Sequence, residues 1–240
     1  MDANRGLGDR APYWLAPHVH LSLCDGHVVL MDVRHNRYVA VQPAEGLADW
    51  VGGWPVLAGG HRERPPTVLV RLLEQGLLVA DRSAGHPATP QQNEAPARTL
   101  LEFDFDERPA PDGRDLVRMA RAWLWARAML TFRPMHAVIE SVRSRGTDHA
   151  APESPLDWER ARSLVRVFVH LRPLFYSARG ACLLDSLAML RFLRAYELHP
   201  RWVFGVRTAP FHAHCWLQHG PVLFNDLPDR VRQYAPILRV

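Results

Sequence analysis

One cysteine opens a long apolar helix, and this stretch constrains the fold more than any other. Gly180 is a turn residue, Cys182 follows it, and apolar residues then recur at helical spacing through Leu193. Cys182 therefore lies in the first turn of the predicted helix, where free backbone N–H groups and the helix dipole favour an anion. This position lowers the pKa of a thiol from about 8.5 toward neutrality and favours a nucleophilic thiolate. The alternative is a small buried hydrophobic residue, which is the commoner fate of a lone cysteine.

The hydrophobic pattern around this helix predicts helices first and an antiparallel sheet after them. Helices are predicted at 112–131, 134–145 and 157–171. Strands are predicted at 201–207, 214–219 and 222–224. The apolar face of the first helix is predicted to include Leu116 and Leu124. The second half of the chain is therefore predicted to be α+β.

Residues that can carry acid–base chemistry follow the cysteine in a fixed order. A thiol nucleophile needs a base, and the base needs a carboxylate that fixes its tautomer and orientation. His212 and His214 supply candidates for the base, and Asp226 supplies the carboxylate. The two histidines point to the same face of an extended chain, so spacing alone does not choose between them. We expect no metal, because Cys215 points to the opposite face and no fourth ligand is evident.

The first 83 residues show a different pattern, that of a small β-rich domain. Asp25-Gly26 is a strong signal for a two-residue hairpin turn between alternating segments at 18–24 and 27–33. A further strand at 38–42, helices at 43–50 and 65–75 and a strand at 77–80 complete the prediction. This order is typical of a winged helix-turn-helix domain.

A linker is predicted between the two halves. Residues 84–99 are rich in proline and polar residues and have no periodicity, so the chain is divided into domains at 1–83 and 100–240.

DNA binding is the usual role of a winged helix, yet the candidate recognition helix argues against it. Residues 65–75 offer one arginine, Arg71, where base and phosphate contacts would require more cations and amides. A β-strand edge beside an apolar helix is better suited to binding an extended peptide as an added strand.

Composition excludes several other classes of protein. The 240 residues hold 29 basic and 25 acidic side chains, so the formal net charge is only +4. Three cysteines without paired spacing argue against a disulfide framework and for a reducing compartment. There is no signal-peptide pattern and no run of about 18 apolar residues. We therefore expect a cytoplasmic protein that partners neither nucleic acid nor membrane.

Four separate motifs carry a resemblance to a known family. They are Gly-Ala-Cys182-Leu-Leu-Asp-Ser, Phe204-Gly-Val-Arg207, Pro210-Phe-His-Ala-His214-Cys-Trp-Leu and Leu223-Phe-Asn-Asp226. In this order they resemble the lasso peptide biosynthesis B proteins, over about residues 155–240. The resemblance implies a transglutaminase-like, papain-like α+β cysteine protease domain that removes the leader from a precursor peptide. It also implies that Cys182 is the nucleophile, His214 the base and Asp226 the orienting acid.

The same resemblance assigns a role to two neighbours of the nucleophile, and one further residue differs from the family pattern. Asp185 and Ser186 follow the cysteine by one turn, and the resemblance implies that they shape the pocket. Cys215 stands where the family usually has a small residue, which leaves a redox or a packing role open for it.

The N-terminal half is similar to the PqqD-like precursor recognition element of ribosomal peptide pathways. The similarity rests on element order and on Gly-His-Val-Val-Leu-Met-Asp-Val followed by Arg-Tyr-Val-Ala-Val. It implies that this half binds the leader peptide as an added strand. The candidate leader contacts are Tyr38, Val39, Val41, Val68 and Leu72, each of which is equally well explained as a core residue.

The resemblance also implies partners and leaves two alternatives. The partners are the precursor peptide and an asparagine-synthetase-like cyclase that uses ATP, whereas this chain has no P-loop and is expected to need no cofactor. One alternative is a transglutaminase or amine acyltransferase that uses the same triad. The other is a winged-helix DNA-binding regulator with a degenerate enzyme domain.

Overall fold

The chain folds into two compact units of helices and sheets, as a computed structural model shows. The structure describes residues 13–41, 47–55, 67–102, 109–144 and 155–240. The first unit comprises Met1–Gln92, Val206–His212 and Ala235–Leu238. The second comprises Asn93–Gly205, Ala213–Tyr234 and Arg239–Val240. The predicted α+β class is confirmed.

The first unit is built on a three-stranded antiparallel sheet. Its strands are β2 (Val19–Cys24), β3 (His27–Asp32) and β4 (Arg37–Val41), in the order β2-β3-β4. Asp25 and Gly26 turn the first hairpin with φ of 47° and 76°, because a two-residue turn of this kind needs positive φ at both positions. The predicted hairpin is therefore present, and β4 lies at the edge of this sheet.

The first unit also contains a two-stranded sheet and one short α-helix. The strands β1 (Trp14–Leu15) and β5 (Leu78–Val79) pair antiparallel. Helix α1 (Thr67–Glu74) ends at Gly76, whose φ is +66°, a conformation that glycine adopts at little cost. A 3-10 helix at Leu47–Asp49 covers part of the helix predicted at 43–50. The predicted starts of both helices, at 43 and 65, lie outside the described residues, and the winged helix-turn-helix assignment stays a prediction.

Parts of the segment predicted as a linker are packed against protein. Ala88 is fully buried in the core of the first unit. Near the other end, β6 (Arg98–Thr99) pairs in parallel with β9 (Val222–Leu223) in the second unit. The division at 84–99 itself stays a prediction.

Three helices of the second unit begin where the sequence predicts their starts. Asp112 caps α2 (Gly113–Phe132) through a reciprocal pair of bonds with Asp115, and Asp157 caps α4 (Trp158–Leu171) by accepting from the N–H of Arg160. Pro134 precedes α3 (Met135–Arg143). An oxygen in the N-cap position satisfies an N–H group that has no partner within the helix.

One part of the helix prediction is wrong. Leu116 and Leu124 were expected on the buried face of α2, but 43% and 56% of their surfaces are exposed. The stripe that packs inward is narrower and consists of the small or flexible side chains Met119, Ala122 and Ala126. Small residues at 3–4-residue spacing allow close packing of helices and leave the flanking leucines outside.

The sheet that carries the candidate catalytic residues has five strands in the order β10-β7-β8-β9-β6. Its longest strands are β7 (Arg201–Thr208) and β8 (Phe211–His219), and β10 (Ala235–Arg239) lies at one edge. The strands predicted from residues 201 to 224 are present, whereas β6 and β10 were not predicted. A four-residue helix, α6 (Pro228–Val231), precedes β10.

Gly205 allows the closest approach within this core. A Cβ atom at Gly205 would lie 2.7 Å from the Trp216 ring and 2.9 Å from Cβ of Tyr234. Trp216 is fully buried and Tyr234 nearly so, hence neither has space to move away. The strand therefore requires a residue without a side chain at this position.

We predict that Gly205→Ala lowers the free energy of unfolding by about 1–3 kcal/mol, because overpacking forces neighbouring side chains or backbone to shift. Gly113→Ala is the matched control, since a Cβ there meets nothing within 4 Å. Urea unfolding of the two variants and the parent measures the difference. Equal stability of Gly205→Ala and the parent would contradict the close packing described.

Candidate active site

Cys182 is the first residue of α5 (Cys182–Arg194), as the sequence predicts. Gly180 makes the preceding turn with a φ of +68°. The N-cap residue is Ala181, which has no side-chain oxygen to bond the first-turn N–H groups. The first-turn N–H groups of α5 therefore have no side-chain cap.

His214 connects the cysteine to a carboxylate. It is buried on β8, and its Nε2–H donates to Oδ2 of Asp226. Its ring also interacts with the sulfur of Cys182, which raises the pKa of His214. Since Nε2 is bonded to Asp226, Nδ1 is the ring nitrogen that remains for the sulfur. The structure thus brings together the three predicted residues, while His212 is exposed.

Asp226 is itself fixed by its surroundings. Its Oδ1 accepts from the backbone N–H of Leu227 at 2.8 Å. Its main-chain carbonyl accepts from the hydroxyl of Thr99, also at 2.8 Å. On the other side of the pair, the Tyr234 ring lies 5.1 Å from the imidazole centroid. These contacts hold the carboxylate and the imidazole in one relative orientation.

Cys215 is a member of the site that the sequence did not predict. Its side chain and backbone N–H both form hydrogen bonds with the sulfur of Cys182. Alternation along β8 directs Cys215 to the face opposite His214, and α5 lies on that face. Ser186 lies 3.3 Å from Cys215 Sγ, so α5 packs on the Cys215 side of the strand. From the end of α5, Cys182 reaches both Cys215 and His214.

The charges of the site follow from these contacts. The hydrogen bond from Cys215 outweighs burial and, together with His214, lowers the pKa of Cys182 to about 4. Burial opposes the charge on His214, but the bonds to Asp226 and Cys182 raise the pKa of His214 to about 9. Burial raises the pKa of Cys215 well above that of an ordinary thiol. At a pH between the pKa of Cys182 and that of His214, the site therefore holds Cys182 as a thiolate, His214 as an imidazolium and Cys215 as a neutral thiol.

Asp185 and Ser186 both contribute to the architecture of the site. Asp185 is buried and its Oδ1 accepts from Arg172 at 3.1 Å and from the Tyr176 hydroxyl at 3.0 Å. Ser186 donates to the Cys182 carbonyl at 2.7 Å. Burial, followed by the charge of Asp185, raises the pKa of Tyr176, so its hydroxyl stays protonated and acts as a donor. The resemblance implied pocket-shaping roles for Asp185 and Ser186, and these contacts are of that kind.

The residues named as leader contacts lie in two different environments. Val41 and Leu72 are 3% and 1% exposed and belong to the core of the first unit. Tyr38, Val39 and Val68 are half-buried. Leader binding by these residues stays a prediction, and the three half-buried side chains are the ones that present surface.

Among the described residues, one cluster has the composition of a metal site. His18, Asp32 and His35 in the first unit place one ligand atom each within 4.8 Å of one another. The Asp32 carboxylate, however, already accepts from the N–H groups of residues 34 and 35, from the His35 ring and from Arg37. A carboxylate has about four acceptor sites. The cluster is therefore explained by its role in holding the turn between β3 and β4.

A groove of about 510 Å³ lies elsewhere in the second unit, between α2 and α5. Five arginines line it: Arg114, Arg118, Arg121, Arg191 and Arg194. The first three belong to α2, and Arg191 and Arg194 to the C-terminal end of α5, whereas Cys182 is at the N-terminal end of α5. This groove is therefore distinct from the candidate active site.

Comparison with known proteins agrees with this geometry. Residues 126–239 match the family model described as "Transglutaminase-like superfamily". The second half of this chain contains a transglutaminase-like domain. A stretch of 51 residues is 40% identical to the microcin J25-processing protein McjB of Escherichia coli, covering 21% of this chain and 24% of that protein. The two findings support the resemblance to the lasso peptide biosynthesis B proteins.

No solved structure matches the chain significantly. Within the described residues, none of the helices combines the length and the apolar character needed to cross a membrane.

We predict that Cys215→Ala raises the pKa of Cys182, because it removes the largest stabilising contact of the thiolate. The thiolate reacts with iodoacetamide and is populated above the thiol pKa. The parent should therefore react with a midpoint near pH 4, and the variant with a midpoint at higher pH. Mass spectrometry of Cys182 alkylation across pH measures both midpoints.

Cys24→Ala is the matched control for this measurement, since Cys24 is buried and bonded to the carbonyl of Val206 instead. Its midpoint should equal that of the parent. Identical midpoints in Cys215→Ala and the parent would contradict the role of Cys215.

Proposed function

We propose that this chain is the leader peptidase of lasso peptide biosynthesis, which binds a precursor peptide and cleaves the leader from the core. The observation that carries the proposal is the bridge formed by His214 between Cys182 and Asp226. A thiol, an imidazole and a carboxylate in this order are the machinery of acyl transfer by cysteine enzymes. The similarity to a protein named for processing microcin J25 supports the same substrate class.

The first chemical step uses the thiolate of Cys182. It attacks the carbonyl carbon of the scissile peptide bond and forms a tetrahedral intermediate with a negative oxygen. The uncapped N–H groups at the start of α5 are placed to donate to such an oxygen. His214, which is protonated at neutral pH, then gives its proton to the leaving amine. A thioester between the leader and Cys182 remains.

The second step hydrolyses the thioester. His214, now neutral, takes a proton from water, and the resulting hydroxide attacks the thioester carbonyl. Asp226 keeps Nε2 of the imidazole occupied, so that Nδ1 stays directed at the sulfur and the attacking water. Release of the leader restores the thiolate and the imidazolium.

The first unit serves as the leader-binding element in this proposal. The described part of β4 has one sheet neighbour, β3, and an extended peptide can add to such an edge through main-chain hydrogen bonds. Holding the leader on the same chain raises its effective concentration at Cys182. The released core would pass to an asparagine-synthetase-like cyclase that uses ATP.

We predict that Cys182→Ala reduces cleavage of a precursor encoded beside this gene by roughly 10⁶-fold, because the covalent intermediate cannot form. Binding of a fluorescent leader peptide, measured by anisotropy, should be unchanged. Mass spectrometry of the peptide products measures cleavage, and Cys24→Ala is the matched control that should cleave normally. A Cys182→Ala variant that retained parental activity would refute the proposal.

The family match favours one second candidate, transfer of the acyl group to an amine. The thioester is common to both reactions, so the acceptor decides between them. We predict that precursor incubated with enzyme and excess glycine ethyl ester yields the free leader carboxylate. A leader amide as the main product, identified by its mass, would instead assign the chain as an amine acyltransferase.

A further inference from the structure

Two thiols of unlike character stand in contact at the candidate active site. Cys182 is half-buried, whereas Cys215 is 2% exposed. Ser186 contacts both residues, since its hydroxyl lies 2.7 Å from the carbonyl oxygen of Cys182 and 3.3 Å from Sγ of Cys215. The Cys215 side chain also interacts with the Cys182 sulfur. Hydrolysis as proposed above requires one thiol only, and the catalytic steps leave the second without a chemical task.

Burial holds Cys215 as a neutral thiol, although two polar groups lie close to its sulfur. The Ser186 hydroxyl lies 3.3 Å from its Sγ, and the indole N–H of Trp202 donates to that hydroxyl at 2.8 Å. Both groups favour an anionic Cys215, but burial opposes the charge more strongly, so the anion forms only as the thiol reacts. All three side chains are buried. A thiol that attacks another sulfur must pass through such an anion.

We propose that Cys182 and Cys215 form a reversible redox modification site, which reacts with a hydroperoxide and stores the oxidation as a disulfide. An exposed thiolate beside a protected thiol is the arrangement found in cysteines that react with peroxide and are then resolved. Here the resolving thiol lies next to the reactive one in the folded state.

The chemistry balances in two steps. The Cys182 thiolate attacks the O–O bond of the hydroperoxide, forms an S–O bond and releases the alcohol or water after protonation. The Cys215 sulfur then attacks the sulfur of the Cys182 sulfenic acid, and hydroxide leaves with the Cys215 proton as water. The peroxide gains two electrons and the two thiols lose them. A dithiol reductant reverses the modification by exchange.

The consequence for the enzyme is a protected, inactive state. In the disulfide Cys182 has no thiolate, so acyl transfer stops. The disulfide also withholds Cys182 from further oxidation to sulfinic acid, which dithiols do not reverse. Cys24 does not take part, because its thiol is buried and bonded to the Val206 carbonyl.

Peroxide treatment of the full chain tests the proposal. Reduced protein is exposed to excess hydrogen peroxide, blocked with N-ethylmaleimide in denaturant and digested without reductant for mass spectrometry. The expected product is a peptide pair cross-linked through Cys182 and Cys215, with Cys24 blocked by maleimide. Dithiothreitol should restore alkylation of Cys182 almost completely. A Cys182 sulfinic acid without the cross-link would overturn the proposal, and so would a cross-link that involves Cys24.

Cys215→Ser separates resolution from packing, because serine keeps a donor of similar size but cannot form a disulfide. In this variant the same treatment should leave Cys182 as sulfinic acid, and dithiothreitol should restore little of its alkylation. Cys24→Ala is the matched control and should recover like the parent. Equal recovery in Cys215→Ser and the parent would contradict the proposal. The experiment on the parent decides the question even if the variant fails to fold.

These measurements need no peptide substrate, so their outcome is independent of the proposed peptidase function. Absence of the disulfide would leave leader cleavage untouched. Absence of leader cleavage would likewise leave the redox site in place.

Discussion

The contact between a negative sulfur and a positive imidazole is the interaction on which the rest of the second unit depends. Removing two charges from water costs several kcal/mol per ion unless further hydrogen bonds satisfy them. Here Asp226 supports His214, and Cys215 supports Cys182. Asp226 in turn contacts Thr99 in β6 and Leu227 at the start of α6, and Cys215 contacts Ser186 in α5. The pair is thus stabilised by segments far apart in the chain.

Most of this site could be predicted from the sequence, because helical spacing and helix caps depend on residues that are close together in the chain. Helical spacing placed Cys182 in the first turn of α5, and the cap residues Asp112 and Asp157 marked two other helix starts. Spacing did not choose between His212 and His214. The resemblance chose His214, and the structure places it against Cys182 and Asp226.

The features that the sequence did not predict depend on how helices and strands pack against one another. Alternation along β8 shows that His214 and Cys215 leave opposite faces, but it does not show which face α5 covers. The apolar positions Val41 and Leu72 likewise indicate a buried surface without indicating what buries it, and the core of the first unit covers both. Leu124, by contrast, was predicted to be buried and is exposed, because α2 packs inward through Met119, Ala122 and Ala126.

The absence of a side-chain cap at the start of α5 lowers the stability of this helix. A serine or aspartate at an N-cap typically adds about 1 kcal/mol to stability, and Ala181 forgoes this gain. A capping oxygen would occupy the same N–H groups that the proposed reaction needs for the substrate oxygen. The helix is therefore left less stable at the end where it carries its nucleophile, and substrate binding itself would complete the capping of α5.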